Sequence, residues 1–362
     1  MARVHNFGSG PSALPIEVLE TARAEFLDYG GSGMSILESS HRSKLYDEIH
    51  HDVMDSIREL LGLGDRFEVL LLGGGASLQF ALLPLNLLRA GRSADYVLTG
   101  HWSEAALREA SLVGTARVAA TTAVDGLFTR IPDASELRLD PAAAYCHVTS
   151  NNTIEGTQWR QFPDTGGVPL AADMSSDLLS RPFDPSPFGI IYAGAQKNLG
   201  PAGLTVVLVR RDVLELCRDD LPAILRYRTH AAKQSLYNTP PVFAIYIARL
   251  TLRWLRGRGG LAAVERENEA KGARLYRAID ASGGFYRSPV PADSRSLMNV
   301  VFRLADEALE ARFLEAGAKA GLVGMKGHRV VGGLRVSIYN ATRLDAVNTL
   351  IDFMTEFERL HG

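Results

Sequence analysis

The sequence predicts an α/β protein with a large domain, built on a mostly parallel central sheet flanked by helices, and a smaller C-terminal α+β domain. Three observations carry this reading. Short apolar runs recur between residues 67 and 209, and each leads into a Gly, Ser or Asp cluster or a helical pattern. Runs of this kind suit strands covered on both faces by helices, the arrangement of a parallel sheet. The text then changes at Gly257-Arg258-Gly259-Gly260, which reads as a hinge. Finally, 362 residues are more than one hydrophobic core usually serves.

In chain order, residues 16–29 read as a helix after Pro15, and a polar loop follows over 30–42. Leu45, Ile49, Val53 and Ile57 recur every four residues in a second helix that Gly62 stops. The strands are expected at 67–72, 96–99, 144–149, 168–172, 190–193 and 205–209. Helices over 242–256 and 261–281 bracket the hinge. The remaining text reads strand (298–304), helix (305–320), strand (333–338) and helix (344–360), with no internal repeat. We therefore expect a large domain over residues 16–258 and a small one over 259–362 that also takes in residues 1–15.

Composition removes several functions. Lys plus Arg total 39 against 41 Asp plus Glu, a net charge of −2, which argues against a polyanion-binding surface and so against nucleic acid as partner. With 46% hydrophobic and 22% charged residues, the chain is not mainly disordered. Cys146 and Cys217, the only two cysteines, form neither a CxxC pair nor a metal-binding spacing, so no metal is expected. The N-terminus lacks an apolar leader and no apolar stretch approaches the roughly 18 residues of a membrane span, so a cytoplasmic protein is expected.

In an open parallel sheet the ligand lies beyond the C-terminal ends of the strands. The run 67–72 leads into Gly73-Gly74-Gly75-Ala76-Ser77 and a helix, whose first amides are free to hold a phosphate. The spacing is neither GxGxxG nor a Walker A loop, which speaks against a dinucleotide dehydrogenase, and a tight structural turn accounts for the same residues. The run 168–172 ends at Asp173, a carboxylate at the mouth of the sheet or a cap for its own loop. The run 190–193 leads to Gly194-Ala195-Gln196-Lys197-Asn198, where burial would depress the pKa of Lys197; a surface lysine is the alternative. Phosphate cradle, carboxylate and lysine together are what pyridoxal phosphate requires of a protein: a helix N-terminus, a partner for the ring nitrogen and an amine for the aldehyde. After the run 96–99 comes Trp102, which could lie against the ring or belong to the core.

At these residues the chain resembles the phosphoserine aminotransferases, fold-type I pyridoxal-phosphate enzymes of the class-V aminotransferase family. The resemblance runs from end to end. It rests on Asn6-Phe7 with Gly10-Pro11, residues 38–43, 73–80, 151–156, 194–198 and 235–241, Gly327-His328-Arg329, and 335–340. By position it implies that Lys197 joins the cofactor, Asp173 pairs with the ring nitrogen, Trp102 stacks on the ring and Thr153 reaches its hydroxyl. It further implies that Ala76, Ser77 and Gln196 hold the phosphate, with Asn238 and Thr239 serving the other subunit of a homodimer with shared sites. Some members carry Gly-Arg where this chain has Ala76-Ser77, so the contact would rest here on backbone amides and the Ser77 hydroxyl. For the substrate the resemblance implies Ser9, Arg335 for the α-carboxylate, and the pairs His41-Arg42 and His328-Arg329 at the distal end. For Arg335, which lies in apolar text, a salt bridge to Asp or Glu is the alternative.

The implied activity is reversible amino transfer between O-phospho-L-serine and 2-oxoglutarate, giving 3-phosphooxypyruvate and L-glutamate, in serine biosynthesis. Bacterial members are also implicated in pyridoxal phosphate biosynthesis through 4-phosphooxy-L-threonine. A relaxed small-amino-acid or glyoxylate aminotransferase would share the cofactor residues without needing His328-Arg329. A non-catalytic cofactor-binding regulator should carry DNA-binding text, and none is present.

Overall fold

In the computed structural model, which describes residues 3–362, the architecture follows from burial. Seven strands form the central sheet, in the order Phe67–Leu72, Thr205–Arg210, Phe188–Gly194, Leu170–Asp173, Cys146–Thr149, Ser93–Leu98 and Thr115–Thr121. Thr205–Arg210 runs antiparallel to both neighbours, and the other pairings are parallel. Helices cover both faces, so the inner strands are mostly apolar and buried rather than alternating.

One face of the sheet packs Val69, Val148, Ile191 and Val206 against Ile49, Val53 and Ile57 of the helix Lys44–Leu61 and against Ile245 and Leu252 of Val242–Gly257. The opposite face packs Leu70, Tyr96, Tyr192 and Val207 against Phe80 and Leu83 of Gly75–Leu87 and Ala106 of His101–Val113. A separate core joins Phe7 to Leu275, Val300, Phe302, Phe313, Val336 and Leu350. It is built on the three-stranded sheet Tyr286–Arg287, Asn299–Leu304, Leu334–Ser337. The N-terminal His5–Asn6 pairs with Leu322–Val323, which ties the start of the chain to this C-terminal layer.

Several expected elements differ from those observed. The helix expected over 16–29 ends at Ala24, and a 3₁₀ turn, Tyr29–Gly31, follows. Helix Ala308–Lys319 starts three residues later than expected, because Asp306 accepts from the Ala308 amide and holds the entry as a turn. The strand Thr115–Thr121 has no counterpart among the expected runs. It is an edge strand whose residues are mostly partly or fully exposed, so it lacks a continuous apolar signal. Cys146 and Cys217 are buried free thiols. Among the described residues no helix is long and apolar enough to cross a membrane.

Candidate active site

Strands Cys146–Thr149, Leu170–Asp173 and Phe188–Gly194 lie side by side and parallel, so their C-terminal ends open on the same edge. Lys197 follows the last of them in a tight turn, where the amides of Leu199 and Gly200 both donate to the Ala195 carbonyl at 3.1 and 2.8 Å. The Lys197 Nζ donates to the Ser9 carbonyl at 2.5 Å and lies 5.8 Å from the centre of the Tyr339 ring. The Tyr339 hydroxyl donates to that same carbonyl at 2.9 Å. Burial lowers the Lys197 pKa to about 8; Arg335 pushes the same way and Asp173 opposes. An appreciable share of the amine is therefore uncharged near neutral pH, which nucleophilic attack and proton transfer both require. Gly10 makes room: its φ is +143°, and a Cβ there would stand 3.0 to 3.2 Å from Cε, Cδ and Nζ of Lys197.

Asp173 ends its strand almost fully buried. Its Oδ1 accepts from the Ser175 amide at 2.9 Å. Burial raises its pKa to about 6, against the smaller effects of the Ser175 contacts and Lys197. A carboxyl this deeply placed with so little compensation is held ready for a cationic donor.

The glycine turn delivers the third part. Gly74 and Gly75 take positive φ values of 90° and 67°, and no heavy atom lies within 4 Å of where a Gly75 Cβ would stand. The helix Gly75–Leu87 begins there, with Ala76 and Ser77 in its first turn, where amides have no intrahelical acceptor. Trp102, the second residue of His101–Val113, closes one side near Phe80, with ring centres 6.4 Å apart.

From the C-terminal layer, Arg335 on Leu334–Ser337 reaches in, and its Nη1 donates to the Thr153 carbonyl at 3.4 Å. Its Nε is buried without a partner. Among the described residues no carboxylate forms a salt bridge with Arg335. The alternative of an internal ion pair is thereby removed. His328 joins it, its pKa lowered by burial and by the neighbouring Arg335, His101 and Arg329.

Ser9, Ala76, Ser77, Trp102, Thr153, Asp173, Gln196, Lys197, His328 and Arg335 line one cavity of about 310 Å³. His41, Arg42, Arg329, Asn238 and Thr239 do not line it. His41 and Arg42 follow the 3₁₀ turn Ile36–Glu38 on the surface. Asn238 and Thr239 border a different cavity, of about 400 Å³, with Gly73, His230 and Ser235. Residues that the sequence reading missed are Phe80, Asn151, Ser175 and Ser176, which also line the site, and Tyr339, which braces the Ser9 carbonyl. Ser175 and Ser176 could have been found from their place directly after Asp173. Tyr339 lies 330 residues from its partner and gives no local signal.

These residues fit pyridoxal phosphate: a deeply buried carboxyl for the ring nitrogen, an amine of lowered pKa, and an open glycine turn at a helix start. The class-V aminotransferase pattern matches residues 4–350, nearly the whole chain. The chain belongs to the class-V aminotransferases. Relatives in this family are similar along their full length. The phosphoserine aminotransferase of Desulfosudis oleivorans is 55% identical over 361 residues, covering 99% of each chain. The solved structure of phosphoserine aminotransferase from Bacillus circulans subsp. alkalophilus is 52% identical with a TM-score of 0.97, covering 99% of each chain. The pyridoxal-phosphate-bound phosphoserine aminotransferase of Trichomonas vaginalis is 37% identical with a TM-score of 0.93, covering 98% of this chain and 100% of the other. This class-V aminotransferase thus shares its fold along almost its whole length with these phosphoserine aminotransferases.

Proposed function

We propose that this protein is a phosphoserine aminotransferase that uses pyridoxal phosphate to move an amino group reversibly between O-phospho-L-serine and 2-oxoglutarate, the transfer that supplies L-serine biosynthesis. The observation that carries this reading is the convergence, in one cavity, of a low-pKa lysine, a buried carboxyl and an arginine without a carboxylate partner.

Asp173 would hold the ring nitrogen, the amides and hydroxyl of Ala76 and Ser77 with Gln196 the phosphate, Thr153 the ring hydroxyl, and Trp102 a ring face. Bound there, the cofactor supplies a conjugated cation that accepts the electron pair left when an amino acid loses its α-proton. Arg335 binds the α-carboxylate and so fixes which hydrogen faces Lys197. The Lys197 amine takes that proton and returns one when the direction reverses, and a pKa of about 8 suits both halves of the exchange. The Ser9 carbonyl gives the amine a fixed acceptor while it is free. Asp173, held ionised once a ring cation faces it, keeps the ring nitrogen protonated.

His328, already beside Arg335, is placed for the distal phosphate of phosphoserine or the second carboxylate of glutamate. Arg329, His41 and Arg42 would complete that pocket, and Asn238 and Thr239 the cofactor phosphate site, across a homodimer interface. Their absence from the lining of this chain's own cavity supports a shared site. A cytoplasmic location goes with such biosynthetic work. The deciding experiment is a coupled assay with phosphoserine and 2-oxoglutarate beside unphosphorylated serine. Equal rates with both donors would overturn the substrate assignment.

A further inference from the structure

Behind Trp102 lies a buried acid that the mechanism above does not use. Glu155 closes the tight turn between Asn151–Asn152 and Thr157–Gln158, in which the Gly156 amide donates to the Asn152 carbonyl at 2.8 Å. The same turn carries Thr153, whose carbonyl receives Arg335. Glu155 is 4% exposed, and its Oε1 accepts from the His101 amide at 2.8 Å, at the start of the helix that carries Trp102. One side chain therefore joins two walls of the cavity. His101 in turn stands 5.8 Å, ring centre to ring centre, from His328.

The other carboxyl oxygen poses a problem. Glu155 Oε2 is buried with no hydrogen-bond partner, and so is Asn152 Oδ1. Both press on Gly100, where a Cβ would meet them at 2.6 and 2.7 Å. The Asn152 Nδ2 is already engaged, donating to the hydroxyls of Thr99 and Thr157 at 3.0 and 2.9 Å. Two buried acceptors that face the same glycine each lack a donor, and a single proton on the acid is the simplest way to supply one.

We propose that Glu155 is a positioning residue that works as a neutral carboxylic acid, its Oε2 proton shared with Asn152 Oδ1, and that it thereby locks the Trp102 helix to the Thr153 turn. A single proton then satisfies both oxygens, while Oε1 keeps the His101 amide. The surroundings agree. Burial, the largest influence, raises the Glu155 pKa to about 7, and Glu104 on the Trp102 helix pushes the same way. The His101 and Glu155 amides and Arg335, across from the C-terminal layer, pull it down without cancelling the burial. The rival arrangement is an ionised Glu155 with the Asn152 amide turned end for end, its Nδ2 donating to Oε2 and its Oδ1 accepting from the two threonine hydroxyls.

The inference rests on the cavity being the cofactor site, and its test has an arm that does not. Glu155→Gln mimics the neutral acid, with an amide donor for Asn152 and an acceptor for His101. Thermal unfolding of cofactor-free wild type and Glu155→Gln is followed between pH 4 and 9. An acid whose folded pKa is raised loses stability as pH climbs from its unfolded value through its folded one, and glutamine has no such loss. The two proteins should therefore melt together at pH 4, below the unfolded pKa, and Glu155→Gln should melt higher at pH 9. A variant that melts lower than wild type at pH 9 shows a working anion and overturns the proposal. In the loaded enzyme, Glu155→Gln should keep pyridoxal phosphate affinity and kcat within about twofold, whereas Glu155→Ala should weaken the cofactor roughly tenfold. Equal damage from the two substitutions also overturns it. If wild type fails to bind pyridoxal phosphate, the cofactor reading falls, and the unfolding series still decides the state of Glu155.

Discussion

Replacing Asp173 with asparagine should stabilise the cofactor-free protein and at the same time weaken its hold on the cofactor. Without the cofactor, the carboxyl is buried with only Ser175 as a hydrogen-bonding partner, and its pKa rises from 3.8 to about 6. An acid raised in this way contributes its full stability below the unfolded pKa and loses it as pH climbs through the folded one. At pH 8 the ionised group therefore costs the folded state about 3 kcal/mol, at about 1.4 kcal/mol per pKa unit. Asparagine keeps the shape and an oxygen acceptor for Ser175 and removes the charge, so the cofactor-free variant should be more stable at pH 8 by up to about 3 kcal/mol. At pH 4 the advantage should nearly vanish. With pyridoxal phosphate bound, most of that gain is offset. The charge-assisted bond to the ring nitrogen is lost, worth about 1.5–3 kcal/mol, and affinity should fall roughly 10- to 150-fold. Urea unfolding of both forms at pH 4 and pH 8, with cofactor titration followed by its absorbance, reads every quantity. A cofactor-free Asp173→Asn protein less stable than wild type at pH 8 would refute the account of a poorly compensated carboxyl.

Three further outcomes follow from the same geometry. Lys197→Ala should still bind cofactor through Asp173 and the glycine turn yet lose several orders of magnitude in turnover, measured by single-turnover absorbance with phosphoserine. Arg335→Ala should cost about 3 kcal/mol in kcat/KM for every amino donor, since all carry the α-carboxylate; a loss confined to phosphoserine would instead place Arg335 at the phosphate. Gly10→Ala puts a methyl 3.0–3.2 Å from the Lys197 side chain at a φ of +143°, so kcat should drop roughly tenfold or more while far-UV circular dichroism stays unchanged.

How much was legible in advance depended on where a residue's partners lie. The central strands could be read because burial on both faces writes continuous apolar runs, as in Phe67–Leu72, where the expected and observed bounds coincide. Thr115–Thr121 could not, because an edge strand with exposed Val118 carries a mixed pattern that a loop shares. Lys197, Asp173 and the glycine turn announced themselves by position at strand ends. Arg335 was visible as a charge in apolar text, although only the fold shows that no carboxylate pairs with it. Tyr339 and Glu155 act through contacts made by the assembled fold, with the Ser9 carbonyl and the His101 amide; both fall in segments that carry the family resemblance, but nothing in those segments assigns them a role.

The most direct measurement reduces the loaded enzyme with borohydride, with and without phosphoserine added first, and maps the labelled peptide. The label should sit on Lys197, and phosphoserine should suppress it far more than serine at equal concentration, because only phosphoserine engages both Arg335 and the distal cations. Lys271 is the internal control: it too is buried with its pKa lowered, to about 7, but its Nζ is held by the carbonyls of Ile338 and Tyr339. A label on Lys271, or one on Lys197 that phosphoserine and serine suppress equally, would contradict the account.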